Sequence, residues 1–299
     1  MGAPAENMTA AAIAARWGTV TGFLTDEPSG TDDTEYAAFS ALLLIEHGAE
    51  LTSEQVADAW VTQLAGRTGG FPGAGFSELG TIENLRAGLR PPASGQHLHS
   101  WSDGLAMRAA VHGVYAAGDP ATAARLAAVD GAVSHDGEGV YAGQAVAAAV
   151  AVALTGAPGA QVLAAARGCV PAGSWTAAAL EIAGTAGSAE ELLDALVVRA
   201  YPWADLAPEA VGLAFGAYRR ADGVLRRAVP AAVAMGRDAD TTAAIAGALC
   251  GAGTGMAGVP ADWAAAIGPV TGRCLGPVVA GLTMTGLADR LVAAREAGR

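Results

Sequence analysis

The chain has 299 residues, of which 52% are hydrophobic and only 5% aromatic, and its formal net charge is −12. A chain of this length can bury a sizeable core, but its strong negative charge disfavours binding to nucleic-acid phosphates or anionic membrane surfaces. Much of the apolar content is alanine, which is the best helix former and is too small to dominate a sheet core. The composition therefore favours closely packed helices.

Cysteine usage and the apolar stretches indicate a cytoplasmic protein. Cys169, Cys250 and Cys274 are odd in number and widely spaced, which argues against a disulfide framework or a structural zinc site and predicts buried thiols. The N-terminal residues lack the basic region and apolar run of a secretory signal. The most apolar stretch, 145–154, is far shorter than the roughly 18 residues that span a bilayer, so we expect no membrane contact.

Helical periodicity alternates with short turns along most of the chain. The predicted helices cover 33–47, 53–64, 77–88, 103–117, a segment from 119 onward, 136–154, 158–168, 174–184, 188–201, 208–220, 222–235, 240–251 and 277–297. Pro230 predicts a kink or a break within its helix. No alternating strand pattern, repeat or dividing linker occurs, so we predict one compact all-α domain over 1–299.

The first acidic cluster lies where a loop becomes a helix, at Gly30-Thr31-Asp32-Asp33-Thr34-Glu35. Adjacent carboxylates repel each other, so the arrangement is costly without a compensating charge. One interpretation is helix capping by Thr31 or Asp32, with the remaining acids at the positive end of the helix dipole. The other interpretation is a metal site, and this cluster alone favours capping.

A second cluster, at Gly236-Arg237-Asp238-Ala239-Asp240-Thr241-Thr242, has the same chemistry ahead of another apolar helix. Asp238 and Asp240 are two residues apart in a turn, so both can point toward one position, and Thr241 adds an oxygen. Hard cations such as Mg²⁺ prefer several oxygen ligands, which proteins collect from separate elements. Two such clusters about 200 residues apart therefore favour a shared metal site.

These motifs resemble those of the ADP-ribosylglycohydrolase family. The strongest match covers residues 236–249 and continues with Gly255 and Val259-Pro-Ala-Asp-Trp263, and the second is Thr31-Asp-Asp-Thr34. Weaker matches are Gly73-Ala-Gly-Phe-Ser77, Asp103-Gly-Leu-Ala-Met-Arg108 and Ser134-His-Asp-Gly137, and all of them occur in the family's order. Together they span most of the chain.

The resemblance implies an all-α fold with two divalent cations, Mg²⁺ or Mn²⁺. It assigns metal contacts to Thr31, Asp32, Asp33, Asp238, Asp240 and Thr241. It places two regions beside the substrate, a glycine-rich loop and a second wall, and a histidine at the ribose end. These substrate positions are Gly73, Gly75, Phe76, Asp103, Gly104, Met107 and His135, and Tyr141 flanks the same segments.

Departures from the family pattern bear on substrate and mechanism. An acidic residue before the Thr-Asp-Asp motif is often implicated in catalysis, and here only Asp26 and Glu27 are available, in a short connection. Asp103 and Leu105 stand where the family usually has Asn and Ser, which adds negative charge and removes a hydroxyl near the expected phosphate position. The changes favour a ribosylated compound smaller than an ADP-ribose conjugate.

The predicted activity is metal-dependent hydrolysis of a ribosyl N- or O-glycosidic bond. Asp32 or Asp33 would position the attacking water, and Glu27 or Glu35 would accept its proton. Glu35 has an equal alternative as a solvated first-turn acid. The substrate is a small-molecule ribosyl or ADP-ribosyl compound, and a non-catalytic, crystallin-like family member is the remaining alternative.

Other polar and aromatic residues have less specific interpretations. His97 and His99 follow two prolines, so we expect exposed loop histidines and not a metal pair. His135 is equally consistent with substrate contact and with a local structural role. Most tryptophans are expected in the core or at its rim, while Trp101 and Tyr141 are candidates for stacking on a base.

Overall fold

Helices account for most of the residues that the structure describes. The computed structural model describes residues 1–65, 75–198, 201 and 203–298. The helices are α1 (Ala10–Trp17), α2 (Asp32–His47), α3 (Ser53–Trp60), α4 (Phe76–Arg86), α5 (Gly104–Arg108), α6 (Ala110–Tyr115), α7 (Pro120–Gly131), α8 (Glu138–Ala153), α9 (Gly159–Gly168), α10 (Trp175–Thr185), α11 (Ala189–Leu196), α12 (Ala207–Arg220), α13 (Leu225–Met235), α14 (Ala239–Thr254), α15 (Ala261–Ala266) and α16 (Met284–Glu296). The predicted all-α class is confirmed.

Helix α8 lies at the centre of the larger of two apolar clusters. Its consecutive residues from Ala145 to Ala151 are all buried, and it packs against α5, α6, α7, α9, α12 and α14. Small side chains let these helices approach closely: a Cβ at Gly113 of α6 would lie 2.5 Å from the Ala147 carbonyl oxygen. The alanine content noted in the sequence therefore serves tight helix packing around α8.

The second apolar cluster surrounds α2, whose Tyr36, Phe39 and Leu44 are buried. Helix α2 packs against α5, α6 and α16, while α14 bridges the two clusters through contacts with α2, α5 and α8. The N-termini of α2 and α14 therefore belong to elements that pack on common neighbours. None of the helices in the described ranges is both long and apolar enough to cross a membrane.

A two-residue antiparallel ladder ties the N-terminal segment to the loop before α14. Strand β1 (Met8–Thr9) pairs with β2 (Gly236–Arg237), with Met8 opposite Arg237. Gly236 has φ +73°, and a Cβ there would lie 2.2 Å from the Met8 carbonyl oxygen, so this position requires glycine. The ladder thereby fixes the backbone that leads into the second acidic cluster.

Glu35 joins the start of α2 to the chain after α15. Its side chain is 1% exposed and accepts hydrogen bonds from the backbone N–H groups of Arg273 (2.7 Å), Cys274 (2.9 Å) and Leu275 (2.6 Å). The hydroxyl of Thr271 adds a fourth at 3.2 Å. These contacts occupy both carboxylate oxygens, so Glu35 is a buried anchor and not the solvated acid of one sequence interpretation.

Several predicted boundaries were wrong for reasons that the packing shows. The helix predicted over 103–117 is divided into α5 and α6. At the division, the backbone N–H groups of Ala109 and His112 donate to carbonyl oxygens three residues back, and the Arg108 guanidinium donates to the Gly104 carbonyl. The helix predicted over 188–201 ends at Leu196, since the Val198 N–H donates to the Glu209 carboxylate.

The remaining differences lie at Pro230, at the start of the C-terminal segment and at two short helices. Helix α13 runs through Pro230 without a break, and the residue that loses its backbone partner there, Arg226, is exposed. The segment predicted as helix over 277–297 contains a short 3-10 turn (Gly276–Val278) before α16. Helices α1 and α15, which the sequence patterns did not predict, are both short.

We expect Glu35→Ala to lower the free energy of unfolding by about 3 kcal/mol, because it orphans three buried backbone N–H donors. Chemical denaturation measures the change. The matched control is Glu46→Ala on the exposed end of the same helix, which should stay within about 0.5 kcal/mol of the parent. Equal effects of the two substitutions would contradict the anchoring role.

Candidate metal centre and cleft

The two acidic clusters converge in the folded chain. Asp32, Asp33 and Asp240 each present an oxygen such that all three atoms lie within 4.8 Å of one another. Asp32 and Asp33 form the first turn of α2, and Asp240 lies in the first turn of α14. The packing of these two helix N-termini therefore concentrates carboxylates that are about 200 residues apart in sequence.

The capping alternative holds for one cluster only. The Asp238 carboxylate accepts from the Thr241 N–H at 3.2 Å and caps α14. Thr31 occupies the N-cap position of α2 but makes no side-chain cap bond, and its hydroxyl instead donates to Asp33 Oδ2 at 2.7 Å. Helix capping thus accounts for Asp238 of the second cluster and does not account for Asp32 and Asp33 of the first.

Burial and mutual repulsion dominate the electrostatics of the cluster. Burial, followed by the charges of Asp33, Asp240 and Glu78, raises the pKa of Asp32 to about 8. Burial and the charge of Asp240 raise the pKa of Asp33 to about 7, and the same two causes place the pKa of Asp238 well above its ordinary value. The folded protein thus holds these carboxylates in a site that disfavours their charge.

The donor set fits a hard divalent cation. Asp33 Oδ1 and Asp240 Oδ1 are buried and have no hydrogen-bond partner among the described residues. Carboxylate and hydroxyl oxygens are the ligands that Mg²⁺ and Mn²⁺ prefer, and a bound cation would offset the repulsion. The acidic cluster is therefore able to hold a metal ion.

A cleft of about 350 Å³ opens onto this cluster. Asp32, Asp238, Asp240 and Thr241 lie on its wall. The other described lining residues include Glu6, Asn7, Gly75, Phe76, Ser77, Glu78, Asp103, Gly104, Met107, Trp203 and Asp205. Most of the predicted substrate positions therefore share one cavity with the acidic cluster, whereas Gly73 lies outside the described residues.

A second cavity of about 420 Å³ also reaches Asp32 and Asp240. Thr31 and Glu27 line it, and Glu27 is exposed, so its carboxylate is accessible from this side. Glu35 also borders this cavity, although the four hydrogen bonds described above engage its carboxylate. The acidic cluster therefore borders two separate cavities.

Glu78 is a buried cleft residue that the sequence analysis missed. It is 2% exposed, its Oε2 accepts from the Ser77 hydroxyl at 2.7 Å, and its Oε1 has no hydrogen-bond partner. The fully buried Arg108 lies 3.9 Å from that free oxygen. A Cβ at Gly104 would lie 2.3 Å from Glu78 Oε1, so glycine is needed for the carboxylate to occupy this position.

His135 and Tyr141 are not among the described residues that line the cleft. His135 is buried, with Nε2 3.1 Å from the Ser102 hydroxyl and Nδ1 2.7 Å from the Ser134 hydroxyl. Ser102 in turn donates to Ser77 at 2.8 Å, which extends the network to Glu78. Of the two alternatives for His135, the contacts favour a structural role behind the wall; Tyr141 packs against the larger apolar cluster.

Aromatic rings form a cluster at the mouth of the cleft. Phe76 stacks on His99 with centroids 5.0 Å apart and planes at 21°, and Trp203 meets the His99 ring edge-on at 5.0 Å. Phe76 is 54% exposed. The His97 ring contacts the Thr81 hydroxyl at 3.1 Å, and its Nδ1 accepts from the His99 backbone N–H at 3.2 Å. The two histidines are half-buried and not the exposed loop residues that the sequence predicted. Trp101 is not among the described lining residues.

Backbone contacts hold the aromatic mouth in place. Arg237, at φ +61°, donates to the Trp203 carbonyl at 3.1 Å and pairs with the buried Glu209 at 2.5 Å. The Asp103 N–H donates to the Asp205 carbonyl at 2.9 Å. The motif that supplies Asp238 and Asp240 therefore also positions the opposite rim, a role that no local sequence pattern indicates.

Two of the three comparisons with known proteins found a match. The ADP-ribosylglycohydrolase family profile matches residues 1–299. No curated protein sequence matches the chain. Among solved structures, one described as an ADP-ribosylglycohydrolase-related protein complex is 22% identical with a TM-score of 0.63, over 90% of this chain and 82% of that one, and at this identity it supports the fold alone. The profile match over the full length shows that the chain belongs to the ADP-ribosylglycohydrolase family.

Proposed function

We propose that this protein is a metal-dependent hydrolase that cleaves a ribosyl N- or O-glycosidic bond within the cleft. The observation that carries the proposal is the convergence of Asp32, Asp33 and Asp240 to within 4.8 Å at the wall of a ligand-sized cavity. Membership in a glycohydrolase family supports the reaction class. The metal dependence follows from the donor chemistry of the cluster.

Six residues would hold two divalent cations, Mg²⁺ or Mn²⁺. They are the sequence-predicted set, Thr31, Asp32, Asp33, Asp238, Asp240 and Thr241. When bound, such cations orient ribose hydroxyls and lower the pKa of water. The protein contributes a fixed arrangement of oxygens, because α2 and α14 hold Asp32, Asp33 and Asp240 on packed helix termini.

We assign proton transfer to a carboxylate that lines one of the two cavities. Glu78 lines the cleft, is buried and has one oxygen without a hydrogen-bond partner, so it is poised to accept the proton of an attacking water. Glu27 faces the second cavity and is the alternative. We assign Glu35 to anchoring, because both of its oxygens are engaged.

The cleft favours a small ribosylated compound over an ADP-ribosylated protein side chain. Its volume of about 350 Å³ is near the lower end of the roughly 300–1,000 Å³ of ligand pockets. Asp103 adds a carboxylate to the wall, and none of the described lining residues is a lysine or an arginine. A diphosphate would therefore meet carboxyl groups, and no lysine or arginine of the described lining, wherever the cations do not reach it.

The test of this activity incubates purified protein and Mg²⁺ or Mn²⁺ with a panel of simple N-ribosides, ADP-ribose conjugates, ADP-ribosyl-arginine and ADP-ribosyl-serine. We expect metal-dependent release of ribose from at least one small riboside, at higher kcat/KM than any ADP-ribosyl conjugate. Cleavage of ADP-ribosyl conjugates alone would overturn the size preference. Tight metal binding without cleavage of any member would support the non-catalytic alternative.

Asp240→Ala should abolish both metal binding and turnover, because it removes one of the three converging carboxylates. Calorimetric titration with Mn²⁺ measures the first effect, and the riboside assay measures the second. Asp289→Ala, which removes an exposed acid on α16, is the matched control and should preserve both. Full activity of the Asp240 variant would refute the assigned metal centre.

Glu78→Gln should lower kcat by about 100-fold or more, the contribution of a positioned general base. Glu27→Gln should have a smaller effect, since that carboxylate is exposed. Manganese affinity should be unchanged in both variants, and Glu78→Asp should recover part of the rate. A larger loss of kcat in the Glu27 variant than in the Glu78 variant would make Glu27 the general base instead.

A further inference from the structure

We propose that the mouth of the cleft is a binding site for a planar, positively charged heteroaromatic group, of the pyridinium class, carried as the aglycone of the ribosyl substrate. The assignment of this group as a leaving group rests on the proposed hydrolase function. The binding of the cation itself does not rest on that function, because it depends on residues outside the acidic cluster. Three features of the described residues support it: exposed ring faces, a surplus of carboxyl groups and a buried carboxyl oxygen without a partner.

The aromatic cluster provides a stacking surface. His99 covers one side of Phe76 at 5.0 Å, yet Phe76 remains 54% exposed and lines the cleft. Trp203 meets Phe76 edge-on at 6.2 Å and lines the same cavity. A flat ring placed on the free face of Phe76 would extend an existing stack, and aromatic faces attract cations through their quadrupoles.

Carboxyl groups other than the proposed metal ligands surround these rings. Glu6, Glu78, Asp103 and Asp205 line the cleft and are not in the proposed metal-ligand set. Two arginines offset part of this set: Arg108 lies 3.9 Å from Glu78, and the charge of Arg237 acts on Asp205. Burial raises the pKa of Glu6, Asp103 and Asp205. A cationic group bound among these described residues would favour their ionised forms, whereas an anionic group would meet an excess of carboxyl groups.

A buried acceptor points to a ligand at this position. Asp103 is 3% exposed, lines the cleft, and its Oδ2 makes no hydrogen bond. A buried acceptor without a partner is costly unless something else satisfies it. Burial, followed by the charges of Asp238 and Asp205, places the pKa of Asp103 well above its ordinary value. A cationic ring bearing a donor such as a carboxamide would satisfy that oxygen and favour the ionised form of the carboxyl group.

The chemistry of such a substrate suits this cleft. In a pyridinium riboside, the C1′–N bond breaks with both electrons passing to the ring nitrogen, which loses its positive charge. The water oxygen bonds to C1′, and one water proton passes to a cleft carboxylate and then to solvent. The leaving ring departs neutral without receiving a proton, so the reaction requires no acid on the leaving-group side.

The test compares N-methylnicotinamide, a pyridinium cation, with neutral nicotinamide by calorimetric titration of the Mg²⁺-loaded protein. The two probes share the ring and the carboxamide and differ in the N-methyl group and the charge. We expect the cation to bind at least about tenfold more tightly. Equal affinities, or no measurable binding of the cation, would overturn the proposal.

Two variants locate the site. Phe76→Leu removes the ring and keeps apolar bulk at an exposed position, and Asp205→Asn removes a charge at the same mouth. Each should abolish most of the preference for the cation. Trp175→Leu, which changes an aromatic residue that is 39% exposed and is not among the described lining residues, should keep it. An undiminished preference in both mouth variants would place cation binding elsewhere and overturn the assignment.

The riboside assay separates this inference from the proposed function. Cleavage of ribosyl substrates by a protein that does not prefer the cation would leave the hydrolase function intact and remove the aglycone assignment. Hydrolysis of nicotinamide riboside, slowed by Phe76→Leu mainly through a higher KM, supports both. Cation binding with no ribosyl cleavage would retain the binding site but remove its role in a leaving group.

Discussion

Repulsion among converging carboxylates is the constraint on which this structure depends. Asp32, Asp33 and Asp240 approach within 4.8 Å of one another in a largely buried setting, where each additional charge costs more than in water. The surrounding fold holds this arrangement, and a bound cation would offset its repulsion. The proposed site chemistry and the proposed cationic aglycone both rest on that imbalance.

Buried polar contacts around the cluster hold in place the segments that carry these acids. Glu35 fixes the start of α2 by accepting three backbone N–H bonds from a distant segment, and Arg237 fixes the loop before α14 by pairing with Glu209. Arg108 lies behind Glu78 and also pairs with the buried Asp130 at 3.2 Å. These contacts surround the acids without occupying Asp33 Oδ1 or Asp240 Oδ1.

The local sequence pattern predicted the helices better than it predicted the boundaries between them. The periodicity of 33–47 and 240–251 predicted α2 and α14 closely, because each has a cap-like start and an apolar run. The end of the helix before Val198 was misplaced because the Glu209 carboxylate, on the next helix, accepts the Val198 N–H. The break at Ala109 was missed because Arg108, whose guanidinium donates to the Gly104 carbonyl, is buried against the distant acids Glu78 and Asp130. Glu78 was missed because a single acid in a helical first turn has no distinguishing local signal.

The sequence by itself determined the helical class, the family and the two acid-rich turns, since these depend on composition, periodicity and short motifs. Tertiary structure alone decided that the turns meet, that Glu35 is an anchor while Glu78 faces the cleft, and that Phe76 and Trp203 form its mouth. The reason is physical. Convergence, burial and the hydrogen-bond partners of a carboxylate depend on helix packing between residues far apart in the chain, and no local pattern encodes them.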